Sequence, residues 1–515
     1  MIMDTTSHIL HDSRVLPPSK SPDPKSMPLS ILDAMCARFS PTGAIWLFDQ
    51  YSVIIEESCL VDKLRIALID TLKSFPHLAG QLQWSKVQLG GSHTERFNRP
   101  LVKYNTDSDP GVEWKVVKYP YAISSLAPVP GERSNNSGVW IGNAFPQQVL
   151  LSQTPLALHN LKDFVGLPAV SIQLNLFQNR GYAVGIKIAH PLADAQSLMI
   201  FVSQWAQNSQ ARFKSEPTPQ ISFPVFAPSE LDARAAGDIN GDAADPKLRA
   251  VARDLPLHRY DWWDTSAPGY SPLFIPTTEN SRPPPEQMSN TSLSPETRAP
   301  WESWDLSRPV TYALIHFTAA ELDKMKATAR AATHARSDIS RLDALLAHLF
   351  RAVNQARSRI SKGGEEEEVY LNVTLDARRR VSPPLPDAFL GSPLFLTHIK
   401  ASDLRQTMGR FTPAAVAALL HDAAYEVSPQ RLWQAFVGAR HLLVTSWLRL
   451  PLHDVDFDGS GRRPRYVHPV MGKIDGIVQV MDSDVGDKGV DVGLYLDEEV
   501  MAALLENEEL RRFRG

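Results

Sequence analysis

Val184, Ile186, Ile188 and His190 fall on one face of a period-two segment, and Ala183, Gly185, Lys187 and Ala189 on the other. This predicts a strand whose buried row ends on His190. Pro191 breaks the strand, and Leu198, Phe201, Val202 and Trp205 then recur at helical spacing, so an amphipathic helix follows within a few residues. AVSIQLNLF (169–177) predicts a buried strand just before it. Nearer the N-terminus, AIWLFD predicts an early strand, and Val61, Leu64, Leu68 and Leu72 predict a helix closed by Pro76. The order repeats after residue 307. VTYALIHF predicts a strand, Thr318 with Glu321 and Ser340 with Asp343 read as capping boxes, and Leu342, Leu345, Leu346, Leu349 and Val353 form the apolar face of the second helix. VYLNVTLDARRRVSPPLP predicts a strand entering a proline-stopped loop, Thr412 and Pro413 open another helix, and an acidic helix over 497–510 ends the chain.

These elements predict a mixed α/β fold of two similar domains, 28–215 and 308–515, preceded by a flexible polar arm at 1–27. Residues 85–170 read as strand-rich. Residues 216–307 are dense in Pro, Ser, Asn and Asp and lack a sustained period, so they read as a long crossover linker with Trp262 and Trp263 as anchors. The glutamates at 365–368 read as a solvated loop.

A chain of 515 residues with 43% hydrophobic composition is ample for two cores. Its formal net charge of −4, with both signs interspersed, argues against a nucleic-acid or anionic-membrane partner. Cys36 and Cys59 form no CxxC, so a disulfide framework or a cysteine zinc site is not expected and a reducing compartment fits. The first residues lack an apolar signal segment and no run is long enough to span a bilayer, giving the expectation of a cytoplasmic monomer.

An imidazole at a strand end suits a general base, because its pKa lies close to working pH. Asp194, four residues on, has two readings: N-cap of the following helix, or partner in a salt bridge. His77, in a compact turn, reads as a packing or capping residue. No Gly-x-Ser-x-Gly and no cysteine in a protease-like setting offers an alternative nucleophile.

Five segments, in order, resemble the BAHD acyltransferases, which move an acyl group from coenzyme A to a hydroxyl or amine. They are LRIALIDTLKSFPHLAGQL, HPLAD, SRLDALLAHLFRAV, LDARRRVSPPLPDAFLGS and TSWLRLPLHDVDFDGSG. The resemblance implies two chloramphenicol-acetyltransferase-like domains with His190 as general base in a channel between them, and acyl-CoA as co-substrate, with no metal and no permanently bound cofactor. It implies a small-molecule alcohol or amine as acceptor, an apolar secondary metabolite, and no acyl-enzyme. It also implies Thr445 as an oxyanion donor, Trp447 lining the acceptor side, and Asp194 paired with Arg378. Asp456, Gly459 and Gly461 would form a tight structural turn. Arg462, Arg463 and Arg465 are either CoA-phosphate contacts or a solvated face.

The chain departs from the family pattern at Ala195, where glycine is usual, and at the loop Asp456–Gly461, which gains an aspartate and lacks a tryptophan. Two rivals keep the fold. One takes its acyl group from a carrier protein, as condensation domains do, but those place a second histidine where this chain has Ala189. The other is a binding protein without catalysis.

Overall fold

The computed structural model describes residues 7–18, 23–88, 90–133, 138–217, 224–257, 307–332, 339–360, 369–400, 409–425 and 439–514. In chain order the strands are β1 (His8–Val15), β2 (Lys25–Pro28), β3 (Thr42–Phe48), β4 (Gln81–Trp84), β5 (Pro100–Tyr104), β6 (Val112–Ala122), β7 (Val139–Ile141), β8 (Val170–Gln178), β9 (Tyr182–Ile188), β10 (Val310–Phe317), β11 (Tyr370–Asp376), β12 (Leu394–Lys400), β13 (His441–Ser446), β14 (Tyr466–Pro469), β15 (Ile477–Asp482) and β16 (Val490–Asp497). The helices that matter here are α1 (Ile31–Met35), α2 (Glu57–Thr71), α3 (Ala195–Lys214), α4 (Pro246–Arg253), α5 (Ala319–Ala332), α6 (Arg341–Ile360), α7 (Pro413–Ala424) and α8 (Glu498–Leu505).

The first half is built on a mixed sheet in the order β1-β6-β8-β9-β3-β14, and the second on β12-β11-β13-β15-β16-β10-β7, with a small sheet β2-β5-β4 beside them. In β8, Val170–Phe177 is buried on both faces although its residues alternate apolar with polar. Of its buried polar residues, Gln173 and Asn175 donate to the Val149 and Leu150 carbonyls. On the other face, α2 and α3 cover the sheet, and the Trp205 indole donates to the Leu64 carbonyl at 3.0 Å, tying the two helices together. In the second half the apolar stripe Leu345, Leu346, Leu349 and Val353 of α6 shares a separate core with Val492 and Leu494 of β16. Thr318 and Glu321 exchange both capping-box bonds at the start of α5. Thr412 caps α7 with Pro413 in its first turn.

Each half lends a strand to the other. β14 lies at residues 466–469 yet pairs with β3, Tyr466 opposite Leu47 and Pro469 opposite Ala44. β7 lies at residues 139–141 yet pairs with β10, Ile141 opposite Ala313. Division at 215 and 308 therefore does not follow the sheets.

Two expectations need correction. The segment expected as a flexible arm holds β1, antiparallel to β6 from His8 opposite Lys118 to Val15 opposite Val112. Within the crossover, the described residues 224–257 are docked and partly helical: Val225 bridges to Phe389, and α4 lies on α7, where Arg249 pairs with the fully buried Asp422 at 3.0 Å. A surface built by neighbouring helices supplies the order that local sequence lacks. Trp262, Trp263 and the glutamates at 365–368 lie outside the described residues. Among the described residues, no helix is long and apolar enough to cross a membrane.

Candidate active site

β9 ends at Ile188, and the Ala189 N–H still bonds the Ala169 carbonyl at 2.8 Å, so the strand's alignment carries through to the next residue. His190 then opens a single 3₁₀ turn, held by Pro191, and Asp194 caps α3. His190 as a whole residue is half-buried. The edge of its imidazole meets the Phe39 ring at 5.2 Å.

Its Nδ1 lies 3.1 Å from Ser392 Oγ, and that hydroxyl donates to the His190 carbonyl at 2.5 Å. A hydroxyl has one proton. With that proton committed to the carbonyl, Oγ accepts from Nδ1–H, which assigns the neutral tautomer with its lone pair on Nε2. Burial pushes the imidazole down to about 4, against smaller opposing effects of its own backbone hydrogen bond and the Asp194 charge. The ring is neutral at pH 7.

Asp194 fills both of its predicted roles. Its Oδ1 accepts from the Ser197 N–H at 2.8 Å as the helix cap, while its carboxylate receives Arg378 Nη1 at 2.6 Å and Nη2 at 3.1 Å. Arg378 is buried and donates further to Ser197 Oγ and, through Nε, to the Phe389 carbonyl. Burial opposes its charge, but Asp194 and Asp376 overcome that, so the guanidinium is held above its ordinary value. The pair fastens the two halves across 184 residues of sequence. Ala195 is the first residue of α3 and is not among the positive-φ residues, so a side chain fits where the family has glycine.

Asp33, Ser197 and Ser392 complete the site without having been singled out in the sequence. The Ser392 N–H donates to Asp33 Oδ1 at 2.5 Å, and Asp33 closes a capping box with Ser30 at the start of α1. Burial pushes the Asp33 carboxyl up to about 6 despite bonds from Ser30 and Ser392. Gly391 has φ +134°, and a Cβ there would lie 2.7 Å from Asp33 Oδ1. The Ser30-to-Asp33 spacing is a legible cap signal, but its reach to Ser392 is not.

Thr445 stands on β13 opposite Gln479, half-buried, its hydroxyl making no hydrogen bond among the described residues. Trp447 is buried in the first half's core. The turn at Asp456 is closed by its own carboxylate, which accepts from Gly459 N–H at 3.0 Å and Gly461 N–H at 2.8 Å, with φ +69° and +75° at the two glycines. It is gripped by Ser209 and Gln210 near the far end of α3, about 20 Å along the helix from Asp194. It is therefore not brought together with His190. Arg465 pairs with Asp49, Arg463 with Asp454, and Arg462 bonds the Gln50 carbonyl. His77 stacks on Phe226 at 3.8 Å as a packed residue. Between the two large sheets lies a cavity of about 290 Å³ walled by Phe145, Gln147, Tyr312, His468 and Tyr495, with Lys473 also in its lining.

The model of the Transferase family matches residues 8–90, 142–254 and 420–511. The chain belongs to this family, the BAHD acyltransferases, whose members take their acyl group from coenzyme A. Among curated relatives it is similar to Acyltransferase AFT15-1 of Alternaria alternata, 26% identical over 98% of this chain and 96% of that one. Acyltransferase abl6 of Leptosphaeria maculans is 24% identical over 98% and 97%. The fold is that of vinorine synthase, with TM-score 0.56 and 18% identity over 98% of each chain. It is also that of F. sporotrichioides TRI101 in complex with coenzyme A and T-2, with TM-score 0.60 and 15% identity over 95% of this chain and 98% of that one.

Proposed function

We propose that the chain transfers an acyl group directly from an acyl-CoA thioester to a hydroxyl or amine of a small, apolar secondary metabolite. His190 Nε2 takes the acceptor's proton as the acceptor atom attacks the thioester carbonyl. The tetrahedral oxyanion, held by the Thr445 hydroxyl, collapses with cleavage of the C–S bond, and the sulfur leaves as thiolate to take up the proton. No acyl-enzyme forms. Trp447 borders the acceptor side, Asp194 with Arg378 holds the turn that carries the base, and Asp456, Gly459 and Gly461 brace α3 from its other end.

One observation carries the reading: the Ser392 hydroxyl proton is spent on the His190 carbonyl, which leaves Nε2 as the basic nitrogen of a neutral ring. The fungal relatives named as acyltransferases, and TRI101 complexed with coenzyme A and T-2, support the donor and the kind of acceptor.

Incubation of pure protein with acyl-CoAs and hydroxylated candidates should release free thiol in step with ester. His190→Ala should lower turnover about a hundredfold or more, and a loss of only a few fold would remove His190 as the base. Activity with carrier-bound thioesters alone would favour the condensation-like rival. No CoA binding at millimolar ligand would favour the binding protein. The proposal extends to a monomeric cytoplasmic enzyme, which sedimentation and cell fractionation test.

A further inference from the structure

Gln479 sits in β15 between Ile477 and Met481, which belong to the first half's core, whereas Val478 and Val480 belong to the second. Its side chain is thus on the face of the second sheet that meets the first half. It is fully buried, and neither Oε1 nor Nε2 has a hydrogen-bond partner among the described residues. A buried carboxamide with both atoms unpaired is a standing cost to the fold, so such a group calls for an explanation. Its cross-strand neighbour is Gly493, where a Cβ would come 3.2 Å from the Tyr312 ring and 3.6 Å from Gln479 Oε1. Tyr312 in turn walls the cavity between the sheets. Its other neighbour, one strand away, is Thr445.

We propose that Gln479 is a substrate-binding residue whose carboxamide hydrogen-bonds the first amide of the pantetheine arm of coenzyme A. The inference rests on the acyl-CoA reading above. In that arm the thioester carbonyl and the first amide nitrogen are joined through S–CH₂–CH₂, a reach of about 5 Å, which matches the spacing of about 4.8 Å between neighbouring strands. A ligand whose thioester oxygen faces Thr445 therefore carries its amide level with Gln479. An amide offers both a donor and an acceptor, as the unpaired carboxamide requires.

The test uses calorimetry with two probes, coenzyme A and adenosine 3′,5′-bisphosphate, which lacks the arm, on the parent and on Gln479→Met and Gln479→Leu. The expected result is CoA affinity lower by about fivefold to tenfold, nucleotide affinity unchanged, and a Tm equal to or above the parent's, since no existing hydrogen bond is lost. Unchanged CoA affinity in both variants overturns the proposal. So does an equal loss for both probes, or a Tm several degrees lower, because either makes Gln479 a structural residue. A parent that binds no CoA fails the acyl-CoA reading before any variant is made, which keeps the two failures distinct.

Discussion

Arg378 grips Asp194 through two hydrogen bonds, 2.6 and 3.1 Å, across 184 residues of sequence, with both side chains buried. A fork-to-carboxylate pair fixes orientation as well as distance, so the turn carrying His190 is set by a residue of the other half. Asp194→Asn takes away the closer of the two carboxylates on the buried guanidinium and leaves Asp376 at 3.2 Å, and a loss of about 3 kcal/mol in unfolding free energy is expected, read from urea denaturation. A loss below about 1 kcal/mol would mean the pair does not hold the halves.

His190, pushed down to about 4 by burial, stays an unprotonated base well below neutrality. The acidic limb of kcat/KM should therefore fall near pH 4, with activity flat from about pH 5.5 upward. A limb near the ordinary histidine value of about 6.5 would show that the imidazole is solvated in the working enzyme.

Ser392→Ala removes the acceptor for Nδ1–H while leaving Nε2 in place. The ring should then sample both tautomers and orientations, lowering kcat about tenfold with KM nearly unchanged and Tm little moved. Ser392→Thr retains a hydroxyl and should recover most of the loss. Equal defects in the two variants would exclude the tautomer role.

His77 is fully buried, Nε2 has no partner among the described residues, and burial pushes the ring down to about 3. The unfolded chain takes up a proton near pH 6.5 that the folded one refuses until about 3, so His77 costs stability as pH falls through this window. His77→Phe removes that dependence. Its stability relative to the parent should rise by about 2 kcal/mol between pH 8 and pH 5, which parallel urea titrations at the two pH values measure. A difference that does not change with pH would refute the buried neutral state.

The strand, turn and helix around His190 were legible because a change of period from two to about 3.6 at Pro191 is a local signal. Arg378 was legible only through family resemblance. Ser392 and Asp33 were not legible, because their bonds to the site span 202 and 359 residues and no local pattern encodes them. β1 was missed for a different reason. Its residues are exposed on both faces along most of its length, so an edge strand of that kind carries no apolar alternation to read. The loop at Asp456 is a tight turn closed by its own carboxylate, but its distance from His190 follows from the length of α3, which sequence gives only once the loop's docking point is known.

The reciprocal loan of β7 and β14 has a consequence for any attempt to divide the molecule. Cutting within 258–306 leaves each fragment holding a strand that belongs to the other's sheet, with an open edge where its own is missing. Such fragments are built to recognise each other, and reconstituted activity from two separately expressed pieces would amount to a self-assembling split enzyme.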